Sequence, residues 1–340
     1  MALTVETKDR YSRQIVLEQI GKAGQERLRK GRAVIVGCGA LGCAIANSLA
    51  RAGVGELRVI DRDVVELNNL QRQQLFDEAD IGRPKATAIA EKLAKINSNV
   101  RAVPFVVDVN HTNAEDLIIG CDIVLDGTDN METRFLVNDA CVKHGIPWVY
   151  GGAVGTSGTA MAIIPGKTPC FRCIVPEIPV AGKLPTCDTV GVLNTAPAMV
   201  AAIQSTSAIK LLTGAVLDSV IFTFDVWEHS FSTVKISRRA ECICCAKGKF
   251  EFLSSERKDI VTQLCGSNAV QITPARLGKI SLAELAGRLR ELGDVKLGDI
   301  VLTFKVDMYE LTIFTDARVI ISGTSDEKVA KSLYAKYIGS

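Results

Sequence analysis

The first half of the chain alternates short runs of β-branched apolar residues with longer segments in which apolar residues recur at helical spacing. The short runs are typical of buried strands and lie at 33–36, 57–60, 102–107 and 123–126. The longer segments predict helices at 44–52, 85–96, 114–119 and 131–144. Strands that alternate with helices indicate a parallel sheet with helices on both faces. The sequence therefore predicts an α/β fold with a Rossmann-like, doubly wound, mostly parallel sheet.

The pattern of strands changes in the second half of the chain. Apolar runs at 159–164, 220–226 and 231–236 predict that the sheet continues into antiparallel strands. A connection rich in Pro, Gly and Thr lies at 176–193, and connections of this length are commonly functional lids or disordered segments. The charge-free stretch 189–209 is long enough to span a bilayer, but polar residues interrupt it. We therefore predict a buried helix in its second half.

The last part of the chain has the pattern of a separate small domain. A polar, charged segment at 248–258 predicts a linker between a large domain, 1–247, and a C-terminal domain, 259–340. Four leucines at helical spacing predict the first helix of that domain: Leu282, Leu285, Leu289 and Leu292. A second helix is predicted at 326–337, with strands at 269–272, 300–306, 311–315 and 319–322. Together these elements predict a small α+β domain.

Composition and charge exclude several classes of protein. With 340 residues and 47% apolar content the chain can bury a sizeable core, and its formal net charge is only +2. No block of like charge marks a nucleic-acid or membrane surface, so neither is an expected partner. Residues 1–10 are polar and lack the apolar core of a secretion signal. We therefore expect a cytoplasmic protein whose eleven cysteines are thiols and metal ligands rather than disulfides.

A glycine-rich turn follows the first predicted strand. Gly37, Gly39 and Gly42 separate that strand from the first predicted helix. Glycines at this spacing let backbone N–H groups approach a phosphate, and the N-terminus of the helix favours the anion. Asp61 ends the second strand, nineteen residues after Gly42, where a carboxylate can bind ribose hydroxyls. The sequence therefore predicts a nucleotide site.

Polar residues after Asp61 change the expected nucleotide. The glycine turn and Asp61 alone fit a dinucleotide, so an NAD-linked oxidoreductase is one alternative. Arg72 and Lys85, however, follow that carboxylate within a short stretch of sequence, and the run from Asn69 to Gln73 adds amide side chains. A dinucleotide pyrophosphate is usually held by backbone N–H groups and needs no such cations. A triphosphate with a reacting α-phosphate does need them, because its transition state spreads negative charge. ATP is therefore the expected nucleotide.

Two C-x-x-C pairs lie about seventy residues apart. Cys170 and Cys173 form the first pair, and Cys242 and Cys245 form the second, where Cys244 is also available. Four thiolates at this spacing are a strong signal for Zn²⁺. A closed set of four thiolates leaves no open position on the metal, so the zinc would be structural. Independent reduced thiols are the alternative.

Six separated motifs resemble those of the ThiF/MoeB/HesA family, the prokaryotic relatives of ubiquitin-activating enzymes. They are Tyr11-Ser12-Arg13-Gln14, the turn from Gly37 to Gly42, Asp61, the run from Asn69 to Gln73, Pro84-Lys85 and the run from Asp126 to Asn130. The motifs occur in the order that the family has, which makes the resemblance specific. It covers roughly residues 8–247 and is closest to ThiF-like members with a C-terminal extension. The resemblance implies an adenylyltransferase.

The resemblance also assigns roles to residues. The ATP-binding set that it implies is Gly37, Gly39, Gly42, Asp61, Asp63, Asn69, Arg72, Gln73, Lys85, Asp129 and Asn130. Within that set Arg72 and Lys85 would act on the phosphates and Asp129 would organise Mg²⁺, although Asp129 could instead cap the following helix. Arg13 would reach across a homodimer to the ATP of the partner subunit. A solvated arginine on an N-terminal arm is the alternative for Arg13.

The implied reaction is ATP-dependent adenylation of the C-terminal glycine carboxylate of a ubiquitin-like sulfur-carrier protein with a Gly-Gly tail. Sulfur from a cysteine desulfurase or a sulfurtransferase would then replace the adenylate, in thiamine or molybdopterin synthesis or in tRNA thiolation. In the family, the segment corresponding to 176–193 crosses over the adenylation site, and Cys187 within it is either a covalent attachment site or an inert thiol. The same chemistry on a peptide or tRNA-base carboxylate, and a scaffold without catalysis, are the alternatives.

Overall fold

The computed structural model describes residues 9–178, 190–254, 260–264, 267–273 and 279–338. It divides the chain into two units, Met1–Ser255 and Glu256–Ser340. Cys187 and most of the predicted crossing segment 176–193 lie outside the described residues. Each unit has its own sheet and its own apolar core.

Within the described residues, the sheet of the first unit contains eight strands. Five of them pair in parallel: β1 (Arg32–Val36), β2 (Glu56–Ile60), β3 (Arg101–Phe105), β4 (Ile123–Asp126) and β5 (Trp148–Val154). Three more continue the sheet with antiparallel pairing: β6 (Ser157–Ile163), β7 (Val220–Asp225) and β8 (Ser230–Lys235). The order across the sheet is β3-β2-β1-β4-β5-β6-β7-β8, so the strand order reverses between β1 and β4. The predicted Rossmann-like fold with antiparallel strands is confirmed.

Helices pack on both faces of the parallel strands. The α-helices in the described part of this unit are α1 (Ser12–Ile15), α2 (Gly21–Lys30), α3 (Ala40–Ala52), α4 (Lys85–Ile96), α5 (Ala114–Ile118), α6 (Met131–His144), α7 (Phe171–Ile174) and α8 (Thr195–Leu212). One core contains residues of α3, α4 and α8, and the other contains residues of α5 and α6. Because both faces are covered, β1 and β4 are buried along nearly their whole length, and their sequences are apolar except for Arg32 at the start of β1 and Asp126 at the end of β4.

The helix α8 is the buried helix that the charge-free stretch 189–209 predicted. It packs against α3 and β5, and its buried side includes Val200, Gln204 and Ala208. No helix in the part of the chain that the structure describes is long and apolar enough to cross a membrane.

The second unit has a six-stranded antiparallel sheet among its described residues. The strands are β9 (Ile260–Leu264), β10 (Ala269–Thr273), β11 (Asp294–Leu297), β12 (Val301–Val306), β13 (Tyr309–Phe314) and β14 (Val319–Ser322). Their order is β11-β12-β13-β14-β10-β9. Two helices, α9 (Leu282–Leu289) and α10 (Glu327–Tyr337), share one apolar core with the sheet. The predicted small α+β class is therefore confirmed.

The first helix of the second unit is shorter than the leucine spacing predicts. Leu282, Leu285 and Leu289 are buried on its apolar side, but the helix ends at Leu289. Leu292 is 57% exposed, in the turn that leads into β11. The assignment of Leu292 to the helix is wrong. The helical spacing of leucines continues along the sequence after Leu289, but the backbone leaves the helix there and forms a turn.

Residues 250–253 belong to the first unit and pack against its helices α6 and α7. The Phe252 ring lies 5.0 Å from the Phe135 ring of α6, and Arg172 Nη2 donates a hydrogen bond to Glu251 Oε2 at 2.9 Å. The second unit begins at Glu256. The first part of the predicted linker, 248–258, therefore belongs to the first unit.

Candidate active site

Two glycine loops meet at the carboxyl edge of the parallel strands. Gly37 follows β1 with a φ of +90°, and a Cβ there would lie 2.6 Å from the Gly127 carbonyl, just beyond β4. A Cβ at Gly42 would lie 1.9 Å from the Gly37 oxygen, and one at Gly127 would lie 2.3 Å from that same atom. Only glycine therefore lets the turn before α3 touch the loop after β4. They touch where the strand order reverses, which is where open parallel sheets bind ligands.

Gly39 differs from its neighbours because packing does not require it. It is the N-cap residue of α3, and a Cβ there would meet only the Gly127 oxygen, at 3.8 Å. The first turn of a helix carries N–H groups without intrahelical partners, and the helix dipole favours an anion at this end. The open space beside Gly39 therefore fits a phosphate group.

Asp61 follows β2 and fixes the glycine turn. Its Oδ2 accepts a hydrogen bond from the Cys38 N–H at 2.6 Å, and its Oδ1 accepts one from the Asp63 N–H at 2.7 Å. Burial raises the pKa of the Asp61 carboxyl, and the nearby Asp63 carboxylate raises it further. Each carboxylate oxygen has a second lone pair, so Asp61 can accept from ribose hydroxyls while it holds the turn.

Lys85 is a buried cation next to Asp61. It is the first residue of α4, its side chain is 9% exposed, and its Nζ lies 3.4 Å from Asp63 Oδ2. Burial alone would lower the pKa of Lys85, but the carboxylates of Asp63, Asp61 and Asp129 raise it above its ordinary value. Lys85 therefore stays charged and supplies a fixed positive charge near the glycine turn.

Carboxylates outnumber cations around Lys85. Arg62 Nη1 lies 2.8 Å from Asp108 Oδ1, and Arg62 Nε lies 3.6 Å from Asp63 Oδ1. Burial would lower the pKa of Arg62, but Asp108 and Asp63 raise it, and Asp129 acts in the same direction. Lys85 and Arg62 are thus two cations among four carboxylates, which are those of Asp61, Asp63, Asp108 and Asp129. The excess negative charge fits Mg²⁺, which prefers carboxylate and phosphate oxygens.

Three polar residues predicted to contact phosphates stand on the loop that joins Asp63 to Lys85. The loop closes because the Lys85 N–H donates to the Asp63 carbonyl at 3.0 Å. Asn69 and Gln73 are buried, and Arg72 is partly exposed. Gln73 Oε1 is buried without a hydrogen-bond partner among the described residues. A bound polar ligand would satisfy an atom of this kind.

The helix α6 is capped by Asn130 and not by Asp129. Asn130 Oδ1 accepts a hydrogen bond from the Thr133 N–H at 2.8 Å. The alternative role of Asp129 as the helix cap is therefore wrong. Asn130, which the resemblance places in the nucleotide site, uses its side-chain oxygen for the cap. The exposed Asp129 carboxylate is left available to a cation.

Sequence reasoning missed a buried network that supports the loop after β4. Arg134 of α6 donates through Nε to Asp126 Oδ2 at 3.0 Å, and through Nη2 to the carbonyls of Thr128 at 2.7 Å and Gly151 at 3.1 Å. Gln204 of α8 donates to the Asp126 carbonyl at 2.8 Å. The network ties the loop to β5. The position of Arg134 on a buried helix face was a signal, but most of these partners are backbone carbonyls that no sequence pattern reveals.

The N-terminal motif is anchored away from the glycine turn. The Tyr11 hydroxyl accepts a hydrogen bond from Asn97 Nδ2 at 2.7 Å, and Gln14 Nε2 donates to the Ala52 carbonyl at 2.9 Å. Ala52 ends α3, whereas the N-terminus of α3 faces the glycine turn. Arg13 is exposed between these anchors. Within one chain, the structure does not bring Arg13 to the other predicted site residues.

Four thiols converge in the core of the first unit that contains residues of α5 and α6. They are Cys170, Cys173, Cys242 and Cys245, and their Sγ atoms all lie within 4.8 Å of one another. The Cys170–Cys242 and Cys173–Cys245 sulfur distances are 3.5 Å. In a tetrahedral site with Zn–S bonds of about 2.3 Å the sulfurs are about 3.8 Å apart, so the four thiols fit zinc. Cys244 lies outside this set, and its buried Sγ accepts a hydrogen bond from Asn138 Nδ2 at 3.3 Å.

Comparisons with known proteins agree with this arrangement. The ThiF family matches residues 11–245. A Bacillus subtilis (strain 168) protein named sulfur carrier protein ThiS adenylyltransferase is 43% identical over 335 residues, which cover 97% of this chain and 99% of that protein. The SAMP-activating enzyme E1 of Haloferax volcanii is 40% identical over 250 residues, covering 73% of this chain and 92% of that protein. A crystal structure of E. coli MccB with ATP is similar with a TM-score of 0.61 and 25% identity, covering 70% of this chain and 74% of that one.

Proposed function

Because the chain belongs to the ThiF family, we propose that it uses ATP to adenylate the C-terminal glycine carboxylate of a ubiquitin-like sulfur-carrier protein. The observation that carries the proposal is the buried, charged Lys85 among carboxylates beside the glycine turn. An NAD-linked redox site does not need such a cation, whereas transfer of a nucleotidyl group does. By its name the B. subtilis relative acts on the carrier ThiS, so a ThiS-like protein is the carrier we expect.

The proposed reaction needs no general base. A carboxylate is already a nucleophile at pH 7, so an oxygen of the carrier's terminal glycine attacks the α-phosphorus of ATP. The bond between that phosphorus and the oxygen bridging to the β-phosphate breaks. The products are an acyl-adenylate and pyrophosphate. The chain agrees with this chemistry, since none of its three histidines, His111, His144 and His229, belongs to the set of site residues described above.

The residues of the site would support the reaction through charge. The N-terminus of α3 at Gly39 would receive the phosphates, and Asp61 would bind the ribose. Lys85 and Arg72 would stabilise the negative charge that grows on the α-phosphate and the leaving pyrophosphate. Mg²⁺ would be held by Asp129 together with phosphate oxygens, and it would neutralise part of the same charge.

The product of this step determines the next partner. An acyl-adenylate is a mixed anhydride, and converting it to a thiocarboxylate requires a sulfur nucleophile. A cysteine desulfurase or a sulfurtransferase is the class of protein that would deliver the sulfur. Cys187 lies outside the described residues, so its role as a covalent attachment site for the carrier stays a prediction.

The proposal is tested by ATP–pyrophosphate exchange in the presence of Mg²⁺. ThiS-like and MoaD-like carriers are compared, each with and without its terminal glycine. We expect exchange that requires a carrier and disappears when the terminal glycine is removed. Exchange supported by an unrelated peptide or by a tRNA base would favour the alternative substrates. ATP binding without any exchange would contradict adenylation and favour a scaffold.

We further propose that the four clustered thiols hold a structural zinc ion. Their sulfur geometry and the absence of an open position in a four-thiolate set support that role. The first pair lies at the start of α7, just before the crossing segment, and the second lies near the end of the first unit. Zinc would therefore join two parts of the chain that are far apart in sequence.

We expect the wild-type protein to bind about one zinc ion per chain. Replacing Cys245 with serine is expected to abolish this binding and to lower the melting temperature. Cys244→Ala is the matched control, because Cys244 is buried beside the cluster but lies outside it. Metal content by atomic absorption and thermal unfolding measure both effects. Loss of zinc from the Cys244 variant and its retention by the Cys245 variant would contradict the assignment.

A further inference from the structure

The helix α6 carries a fully buried asparagine, Asn138, in its middle. Asparagine is a poor helix former, and a buried amide is costly unless its polar atoms are hydrogen-bonded. Both ends of this amide have partners. Asn138 Oδ1 accepts a hydrogen bond from the Phe171 N–H at 2.8 Å, and Asn138 Nδ2 donates to Cys244 Sγ at 3.3 Å. The asparagine therefore joins α6 to two segments that are far apart in the sequence.

The two segments are the loops that carry the four clustered thiols. We name residues 170–173 the first cysteine loop and residues 242–245 the second cysteine loop, and each loop contributes two of the thiols. Phe171 directly follows a clustered cysteine in the first loop, and Cys244 directly precedes one in the second. A site for one metal ion forms only when the two loops are held side by side. Asn138 contacts both loops and so holds them in this position.

The orientation of the Asn138 amide is determined by its surroundings. Exchanging its oxygen and nitrogen would place the amide N–H groups against the Phe171 N–H, where donors would face each other. Asp139 agrees with this orientation, since its Oδ1 accepts from Asn138 Nδ2 at 3.4 Å. None of the hydrogen bonds that Asn138 makes within the described residues goes to one of the four clustered sulfurs. Asn138 therefore acts on the loops and not on the metal ligands themselves.

The helix α6 is a firm base for both loops. Its residues 134–141 are all buried. One turn before Asn138, Arg134 is hydrogen-bonded to the loop after β4, and the rings of Phe135 and Phe171 lie 5.5 Å apart. Because the helix is held along its length, a side chain in its middle cannot follow a cysteine loop that moves away. Movement of either loop must therefore break a buried hydrogen bond to Asn138.

We propose that Asn138 is the residue that positions the two cysteine loops for zinc and slows the loss of the ion. The inference rests on the proposed structural zinc. Zinc leaves a closed four-thiolate site when one loop swings away and takes its thiolates with it. Asn138 opposes this movement in both loops at once. Residues that orient metal ligands without touching the metal typically change metal affinity by about 10- to 100-fold.

The experiment measures how fast zinc leaves the Asn138→Ala variant. The zinc-loaded full-length protein is mixed with an excess of the coloured chelator pyridylazoresorcinol, well below its melting temperature, and the absorbance of the zinc–chelator complex is followed. We expect the variant to release zinc about 10- to 100-fold faster than the wild type, because losses of affinity appear mainly in the rate of dissociation.

Val137→Ala is the matched control. Val137 precedes Asn138 in α6, is buried in the same core as the four thiols, and has no polar atom that could bond to either loop. This truncation also lowers stability, but the variant is expected to release zinc at the wild-type rate.

Asn138→Asp is a second test that keeps the shape of the side chain. Its oxygen can still accept from the Phe171 N–H, but an ionised carboxylate cannot donate to the Cys244 sulfur. This variant is also expected to release zinc faster than the wild type, and it carries the test if Asn138→Ala does not fold.

The outcomes separate the role of Asn138 from the proposed function. Zinc release at the wild-type rate from folded Asn138 variants would overturn the positioning role. Equal acceleration in Val137→Ala would overturn it too, since a general weakening of α6 would then explain both results. A wild-type protein that binds no zinc would overturn the zinc proposal and this role with it, whereas adenylation is decided separately by carrier-dependent exchange.

Discussion

Replacing Lys85 with methionine is expected to lower the turnover of carrier-dependent ATP–pyrophosphate exchange by about 10²- to 10³-fold, the usual effect of removing one fixed charge from a transition state. Lys85 is the buried cation among Asp61, Asp63 and Asp129. Without it, a nucleotide phosphate entering the site would face these carboxylates with no fixed positive charge from α4. Methionine keeps an unbranched side chain of similar bulk, so the packing of the first turn of α4 is retained. The measurement is exchange at saturating ATP and carrier.

Lys95→Met is the matched control for this variant. Lys95 lies in the last turn of the same helix and is exposed. It should exchange like the wild type, and both variants should keep wild-type far-ultraviolet circular dichroism. A folded Lys85→Met protein with wild-type turnover would show that Lys85 does not act on the phosphates. Equal losses in both variants would show that the helix, and not the buried charge, causes the effect.

The sequence predicts best those elements of the fold in which apolar residues recur clearly at helical or strand spacing. The helices 85–96 and 131–144 and the strand 123–126 have the bounds that the sequence pattern predicts. Local signals mark the start of α4 and the end of α6: Pro84 precedes α4, and Gly145 adopts a left-handed conformation after α6. Elements with weak or misleading faces are predicted poorly. The sequence does not predict the edge strand β11, because its polar–apolar alternation covers only four residues and most of its side chains are exposed.

The candidate site divides in the same way. The glycine turn, Asp61 and Lys85 are recognisable because backbone approach to a phosphate and charge near it demand particular residue types at short spacing. The choice between Asp129 and Asn130 as helix cap could not be made from sequence, because both residue types cap well and they are adjacent. Gln204 could not be found, since its partners are carbonyls of residues far away in the chain, on β4 and β5.

Arg13 is a predicted site residue that lies far from the glycine turn of its own chain. Tyr11 and Gln14 fasten the segment that carries it to the C-terminal end of α3, through contacts that include the Ala52 carbonyl. The helix rises about 1.5 Å per residue, so its thirteen residues separate that end from the glycine turn by about 20 Å. An arginine side chain cannot cover this distance while its backbone is fastened. If Arg13 acts on ATP, it must act on the ATP of another subunit.

Replacing Arg13 with alanine is therefore expected to reduce exchange by about 10³-fold, the lower end of the effect of removing an arginine finger supplied in trans. Each site of a two-fold symmetric dimer would lose the arginine that its partner supplies. Arg10→Ala is the matched control, because Arg10 is exposed on the same segment and donates to the Ile96 carbonyl. Arg10→Ala should retain most of the activity. The measurement is the same exchange assay, with the oligomeric state of both variants checked by light scattering.

Mixing the Arg13→Ala and Lys85→Met proteins distinguishes action in trans from action in cis. In a hybrid dimer the Arg13→Ala subunit keeps its own Lys85 and receives Arg13 from its partner, so one of the two sites is complete. A random one-to-one mixture of a two-fold symmetric dimer makes half of the dimers hybrid, so about a quarter of wild-type activity should return. Action within one chain predicts no recovery at all, because every subunit then lacks one of the two residues. A mixture that forms hybrid dimers, shown by co-purification through a tag on one variant, and stays inactive would exclude Arg13 as a ligand of the partner's ATP.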